Sequence, residues 1–292
     1  MNLYWWNGIT NVGDAASKYL IEHLCSDVVK WKNPKRTIWN ETKSILINLR
    51  HHKVYVPDIK NIMYPWQRCV FGIGSILDFA NKQTIVWGSG YREYNSIYQK
   101  CEVKAVRGEL SKDKLPKKYE NIAIGDPALL LPRVYIPKIR QPKTKLKIIP
   151  PYADYSFFSS NYSDRFEILD VRTDNVESFI DAIVTSEYIL STSLHGLIIS
   201  HAYNIPAIWI KKGYIYSSDF KFYDYFSSVN IPPYKAFTDI EQILENEETI
   251  DDFFNGHYDI ASVNTDIEDL QLKLLKAAPF KLIEKYNKSI IL

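Results

Sequence analysis

At 292 residues, with 46% hydrophobic and 24% charged side chains, the chain has material for two compact α/β domains or one barrel-sized domain. Its 36 Lys and Arg nearly balance 34 Asp and Glu, and it has no basic low-complexity arm, zinc-finger spacing or RNP-type aromatic run, so nothing calls for nucleic acid. Cys25, Cys69 and Cys101 lie far apart with no paired spacing, which argues against a disulfide scaffold or zinc site and fits a reducing compartment.

In chain order, residues 3–6 predict a first short strand. The turn Asn11-Val12-Gly13-Asp14 follows, with Asp14 placed to cap a helix through Tyr19, Leu20 and Leu24. Residues 69–71, 84–87, 103–106 and 121–124 read as further buried strands. Each ends in a small-residue turn: Gly72-Ile73-Gly74-Ser75, Gly88-Ser89-Gly90, Arg107-Gly108 and Gly125-Asp126-Pro127. The basic stretch with Lys138, Arg140, Lys143, Lys145 and Lys147 reads as a solvated linker, with attraction to an acidic membrane as the lesser reading. The domain boundary is placed near residues 133–143.

Alternation then resumes, with strands at 145–149, 166–171, 188–192 and 206–210 and a helix over 176–186. The strand at 188–192 runs into Ser193-Leu194-His195-Gly196 and a helix to about residue 203; a last helix covers roughly residues 267–286. The expected fold is α/β, with two domains (1–136 and 144–292) facing each other so that their glycine-turn edges make one deep cleft. Residues 188–210, the most apolar region, are broken by His195, His201 and Asn204, and no segment reaches the roughly 20 apolar residues of a membrane span. The N-terminus lacks signal-peptide features, so the expectation is a soluble or at most peripheral protein.

Candidate chemistry concentrates at the turns. Gly72-Ile73-Gly74-Ser75 starts like a dinucleotide fingerprint, but Leu77 stands where the third glycine belongs, so a tight turn against a ligand fits better. His195 and His201 are six apart and cannot share a metal on one helix. A helix N-terminus disfavours imidazolium, so His195 is expected to be neutral in an empty site and to take a proton when an anion binds. Arg107 suits a bidentate anion clamp, and a surface ion pair with Glu102 or Glu109 fits its spacing equally. Asp126 reads as a turn former.

Together these segments resemble the polysaccharide pyruvyl transferase family. The match runs from Asn11-x-Gly13-Asp14 through Phe71-Gly72-Ile73-Gly74-Ser75, Trp87-Gly88-Ser89-Gly90 and Val106-Arg107-Gly108-x-x-Ser111. It continues with Gly125-Asp126-Pro127, Ser191-Thr192-Ser193-Leu194-His195-Gly196, Ala202-Tyr203-Asn204-Ile205-Pro206 and Phe220-Lys221-Phe222-Tyr223-Asp224-Tyr225. The resemblance implies a GT-B-like pair of Rossmann-type domains and phosphoenolpyruvate as donor. The implied acceptor is a sugar of a capsule or exopolysaccharide, usually lipid-linked, and the product a pyruvate ketal made in the cytoplasm, at most at the inner membrane face. It places the active-site histidine on His195 and the donor-binding arginine on Arg107. Asn11, Gly13, Asp14, Gly74, Ser75, Gly88, Ser89, Ser111, Ser193, Leu194, Gly196 and Lys221 are the expected substrate-binding set, with no metal or cofactor beyond the co-substrate. Members often have Pro-His-Tyr after the first strand of the second domain, where this chain has Pro150-Pro151-Tyr152. A nucleotide-sugar glycosyltransferase of the same architecture and a non-catalytic glycan-binding protein are the alternatives.

Overall fold

Short β-branched runs bounded by glycine turns form two parallel sheets in a computed structural model that describes residues 1–33, 38–50, 66–139, 141–212 and 218–291. The first sheet has the order β2-β1-β3-β4-β5-β6, with β1 at Asn2–Tyr4, β2 at Lys30–Trp31, β3 at Cys69–Phe71, β4 at Thr84–Trp87, β5 at Glu102–Val106 and β6 at Ala123–Ile124. The second runs β10-β9-β7-β8, with β7 at Thr144–Ile149, β8 at Glu167–Ile168, β9 at Ser186–Ser191 and β10 at Ala207–Trp209. Every residue of β4 is buried, as expected for a parallel strand covered on both faces.

The described helices of eight or more residues are α1 (Val12–Leu24), α2 (Ile38–Arg50), α3 (Tyr155–Tyr162), α4 (Val176–Val184), α5 (Leu194–Ala202), α6 (Phe220–Ser228), α7 (Glu247–Gly256), α8 (Ile267–Lys276) and α9 (Glu284–Ile291). None is long and apolar enough to cross a membrane.

Three local expectations change. The cap of α1 is Asn11, whose side chain accepts from the Gly13 amide, while Asp14 sits inside the first turn. The single helix expected over 267–286 is two helices, because Pro279 has no amide to donate and its ring clashes with the preceding turn. The basic stretch is not all solvated linker: Lys145 and Lys147 lie in β7, where Lys145 pairs with Glu187 (2.8 Å) and Asp251 (2.5 Å) and Lys147 with Glu167 (2.8 Å).

The halves share one core, which runs from Leu3, Val12 and Leu20 through Trp87 to Ile149, Leu197 and Phe222. Backbone bonds reinforce it, since Val12 N donates to Val171 O at 2.8 Å. The C-terminal helices pack back on the first half: Trp87 Nε1 donates to Leu274 O (2.9 Å) and Tyr286 Oη to Arg133 O (2.9 Å).

Candidate functional site

Arg107 follows β5 directly and has no exposed surface. Its fork closes on Asp224 of α6: Nε donates to Oδ2 at 2.9 Å, and Nη2 lies 2.9 Å from the same oxygen. Nη1 donates to Ser75 Oγ (2.6 Å) and Nη2 to Tyr91 O (2.7 Å). Asp224 is saturated from the other side, accepting from the amide and hydroxyl of Ser111, both at 2.7 Å. Position 108 must be glycine, because a Cβ there would lie 1.7 Å from Asp224 O. The ion pair therefore pins α6 against the end of β5. Neither Glu102 nor Glu109 takes Arg107, and the clamp expected for a donor holds a protein carboxylate instead.

The serines of these turns brace the same cluster. Ser89 and Ser111 are fully buried; Ser89 Oγ donates to Gly72 O at 2.5 Å. In this structure Ser111 therefore bonds Asp224 and the Tyr91 amide, and Ser89 the turn after β3, which positions Arg107 and Asp224. Gly74 and Gly88 sit with positive φ in the turns after β3 and β4.

His195 occupies the first turn of α5, with Ser193 as N-cap residue and no side-chain cap bond. The amides of Leu194, His195 and Gly196 have no carbonyl one turn earlier, which leaves donors and a partial positive charge at the helix start. Leu194 is itself buried, and Gly196 packs against Ile149 of β7. The His195 ring lies on the backbone of Gly13, where a Cβ would fall 2.1 Å from Nδ1. Its Nε2 is shut off from solvent with no hydrogen-bond partner among the described residues, as is Thr192 Oγ1 nearby in sequence.

Burial first, then the fields of Arg107 and Lys221, push the imidazole down to about 3. Burial and the two cations all favour the neutral imidazole. Those fields also place His195, Arg107 and Lys221 in one electrostatic neighbourhood assembled from both halves of the chain. Lys221 is part-buried in the first turn of α6. Burial, then Arg107 and Arg92, lower its amine to about 8 against Glu93 and Asp219, and no hydrogen bond or ion pair reaches it among the described residues.

On the other side of Gly13, Asp14 Oδ1 accepts from Trp6 N at 3.1 Å. Its carboxyl opens into a cavity of about 410 Å³ lined by Trp5, Trp6, Asn11, Tyr19 and Asp174 among others. Burial, opposed by the Trp6 amide, raises Asp14 to about 7.

Asp224, Arg92, Trp5 and Trp6 are the participants that sequence reading passed over. Asp224 had a signal, since an acid among Phe220, Phe222, Tyr225 and Phe226 on one helix demands a buried partner. Gly13→Ala should displace the imidazole and lower turnover about 100-fold, the scale of an ångström-level misplacement, with folding retained; initial rates and a melting curve check it.

The family model described as polysaccharide pyruvyl transferase matches residues 11–211, ending before Lys221 and Asp224. Among curated proteins, uncharacterized protein L143 of Acanthamoeba polyphaga mimivirus is 29% identical over 199 residues, covering 63% of this chain and 67% of the relative. No solved structure matches.

Proposed function

The chain belongs to the polysaccharide pyruvyl transferase family, and from that premise we propose that it moves pyruvate from phosphoenolpyruvate onto a saccharide as a ketal, with His195 as the proton-transfer residue. The observation that carries this is the buried, unpartnered Nε2 of a neutral histidine at an uncapped helix start, beside an unpaired lysine. The proposed architecture is GT-B-like, with residues 1–136 and 144–292 meeting at a cleft where the donor lies.

In this reading the donor's charged groups lie against Lys221, the amides at Leu194–Gly196 and Ser193, with Arg107 adding its field from behind. The bound dianion raises the His195 pKa, and the imidazole takes up a proton. Delivered to the methylene carbon of the enol phosphate, that proton turns the neighbouring carbon into an electrophile. One acceptor hydroxyl adds there and gives up its proton, inorganic phosphate leaves with the C–O bond electrons and that proton, and the second hydroxyl closes the ring as its proton returns to the His195 imidazole. Asn11 and Asp14 are placed to hydrogen-bond the acceptor from the Trp5–Trp6 cavity. A carboxyl near 7 is suited to taking a hydroxyl proton at neutral pH. The acceptor is a sugar of a surface polysaccharide or its lipid-linked precursor.

The test is incubation with phosphoenolpyruvate and a saccharide panel, following phosphate release and product mass. Stoichiometric phosphate with pyruvate-bearing product supports the reading; neither, across the panel, rejects it. A thermal-shift comparison separates the alternatives: stabilisation by nucleoside diphosphates instead of phosphoenolpyruvate indicates a glycosyltransferase, and by neither a glycan-binding member. Pro151, where the family often has histidine, is the residue that favours the last of these.

Lys221 supplies a pH signature. Its amine must be charged to hold the donor and is lowered to about 8 in the empty site. Affinity for phosphoenolpyruvate should therefore fall up to about tenfold per pH unit above about pH 8, until the raised pKa of the complex is reached. Isothermal titration across pH reads this, and Lys221→Met should bind weakly with no slope in that range.

A further inference from the structure

Charge is not spread evenly along the chain. Residues 30–68 carry nine Lys and Arg against Glu41 and Asp58, whereas the formal charge of the whole is only +2, so the remainder is net acidic. Within this segment α2 spans Ile38–Arg50. At about 100° per residue, Ile45, Leu46 and Leu49 share one arc, with Lys43 and Arg50, a heptad apart, along one border and Glu41 on the other. The pattern is that of an amphipathic helix, and among the described residues its apolar side is exposed, Leu46 to 63% and Leu49 to 65%.

We propose that α2 is a peripheral membrane-docking helix that inserts Leu46 and Leu49 between the headgroups of an anionic leaflet. A helix with an apolar stripe bordered by basic residues lies in the interface plane, burying the stripe while the cations pair with lipid phosphates. Charge chooses this occupant. A second copy of the chain would set this net basic segment, nine Lys and Arg against two acids, against its like, whereas anionic lipid complements it. The basic stretch at 138–147 is a poorer candidate, since Lys145 and Lys147 are already paired. The proposal is independent of the donor chemistry, because α2 contributes nothing to the His195 site.

Sedimentation of the full chain with vesicles tests it. The wild type should pellet with equal parts phosphatidylcholine and phosphatidylglycerol, stay in solution with phosphatidylcholine alone, and be released by high salt. Leu46→Glu with Leu49→Glu should weaken binding at least about tenfold, with an unchanged melting temperature because both side chains are exposed. Three outcomes overturn it: no pelleting of wild type with the anionic vesicles, equal pelleting of the double variant, or a lipid-free dimer that the double variant abolishes.

Discussion

Alanine at position 195 should lower turnover at least about 100-fold, the lower end for losing a general acid, while the chain still folds. The two halves of that statement come from different features. Turnover falls because, in the proposed reaction, His195 delivers the proton that makes the donor carbon electrophilic. Folding survives because the side chain is held by little: Nε2 has no partner, and removing a buried unsatisfied polar atom offsets the packing lost where the ring lies on Gly13. The variant should also lose some acid sensitivity. Below its ordinary value of 6.5 the unfolded wild type binds a proton that the folded state refuses until about 3, so His195 withdraws stability as pH falls through that window. A wild-type rate in His195→Ala would refute its role in proton transfer.

Arg107→Ala and Asp224→Ala should each destabilise the fold by about 3–5 kcal/mol, the usual penalty for leaving half of a buried ion pair behind. Neither partner has any exposed surface, and each loss would strand the hydrogen bonds that tie Ser75, Tyr91 and Ser111 to the pair. Removing both charges together should cost clearly less than the two single losses added, since the deficit in each is an uncompensated charge. Activity should fall in all three through displacement of α6, which carries Lys221. Chemical denaturation separates this from the direct clamp implied by resemblance: weakened donor affinity with unchanged stability in Arg107→Ala would restore the clamp.

Much of the framework was readable because parallel strands buried on both faces are written as unbroken apolar runs ending in glycine turns. Residues 69–71 and 84–87 show this, and β3 and β4 have those bounds. The two-residue strand β2 was not readable, since Lys30–Trp31 has no periodicity of its own and is formed by pairing with β1. Helix α2 was not assigned although Ile45, Leu46 and Leu49 carry a helical period in the sequence. At the site, the strand-end, helix-start position of His195 was legible, whereas the helix that carries Lys221 was not expected, its residues being marked only by the family resemblance. The commitment of Arg107 was not legible: its partner lies 117 residues further on in the chain, and short-range spacing offered only Glu102 and Glu109. The bonds of Ser75, Ser89 and Ser111 were not legible either, because a turn residue facing a ligand and one bracing an arginine look alike in sequence.

The claim on which the rest stands is that an anionic three-carbon donor sits beside the imidazole at the start of α5 and charges it. Titrating the His195 ring by NMR, with and without phosphoenolpyruvate, addresses it directly. The apo ring should stay neutral to well below pH 5, and saturating donor should lift its pKa back towards 6.5. A ring that titrates identically in both samples, with donor bound, would contradict the account.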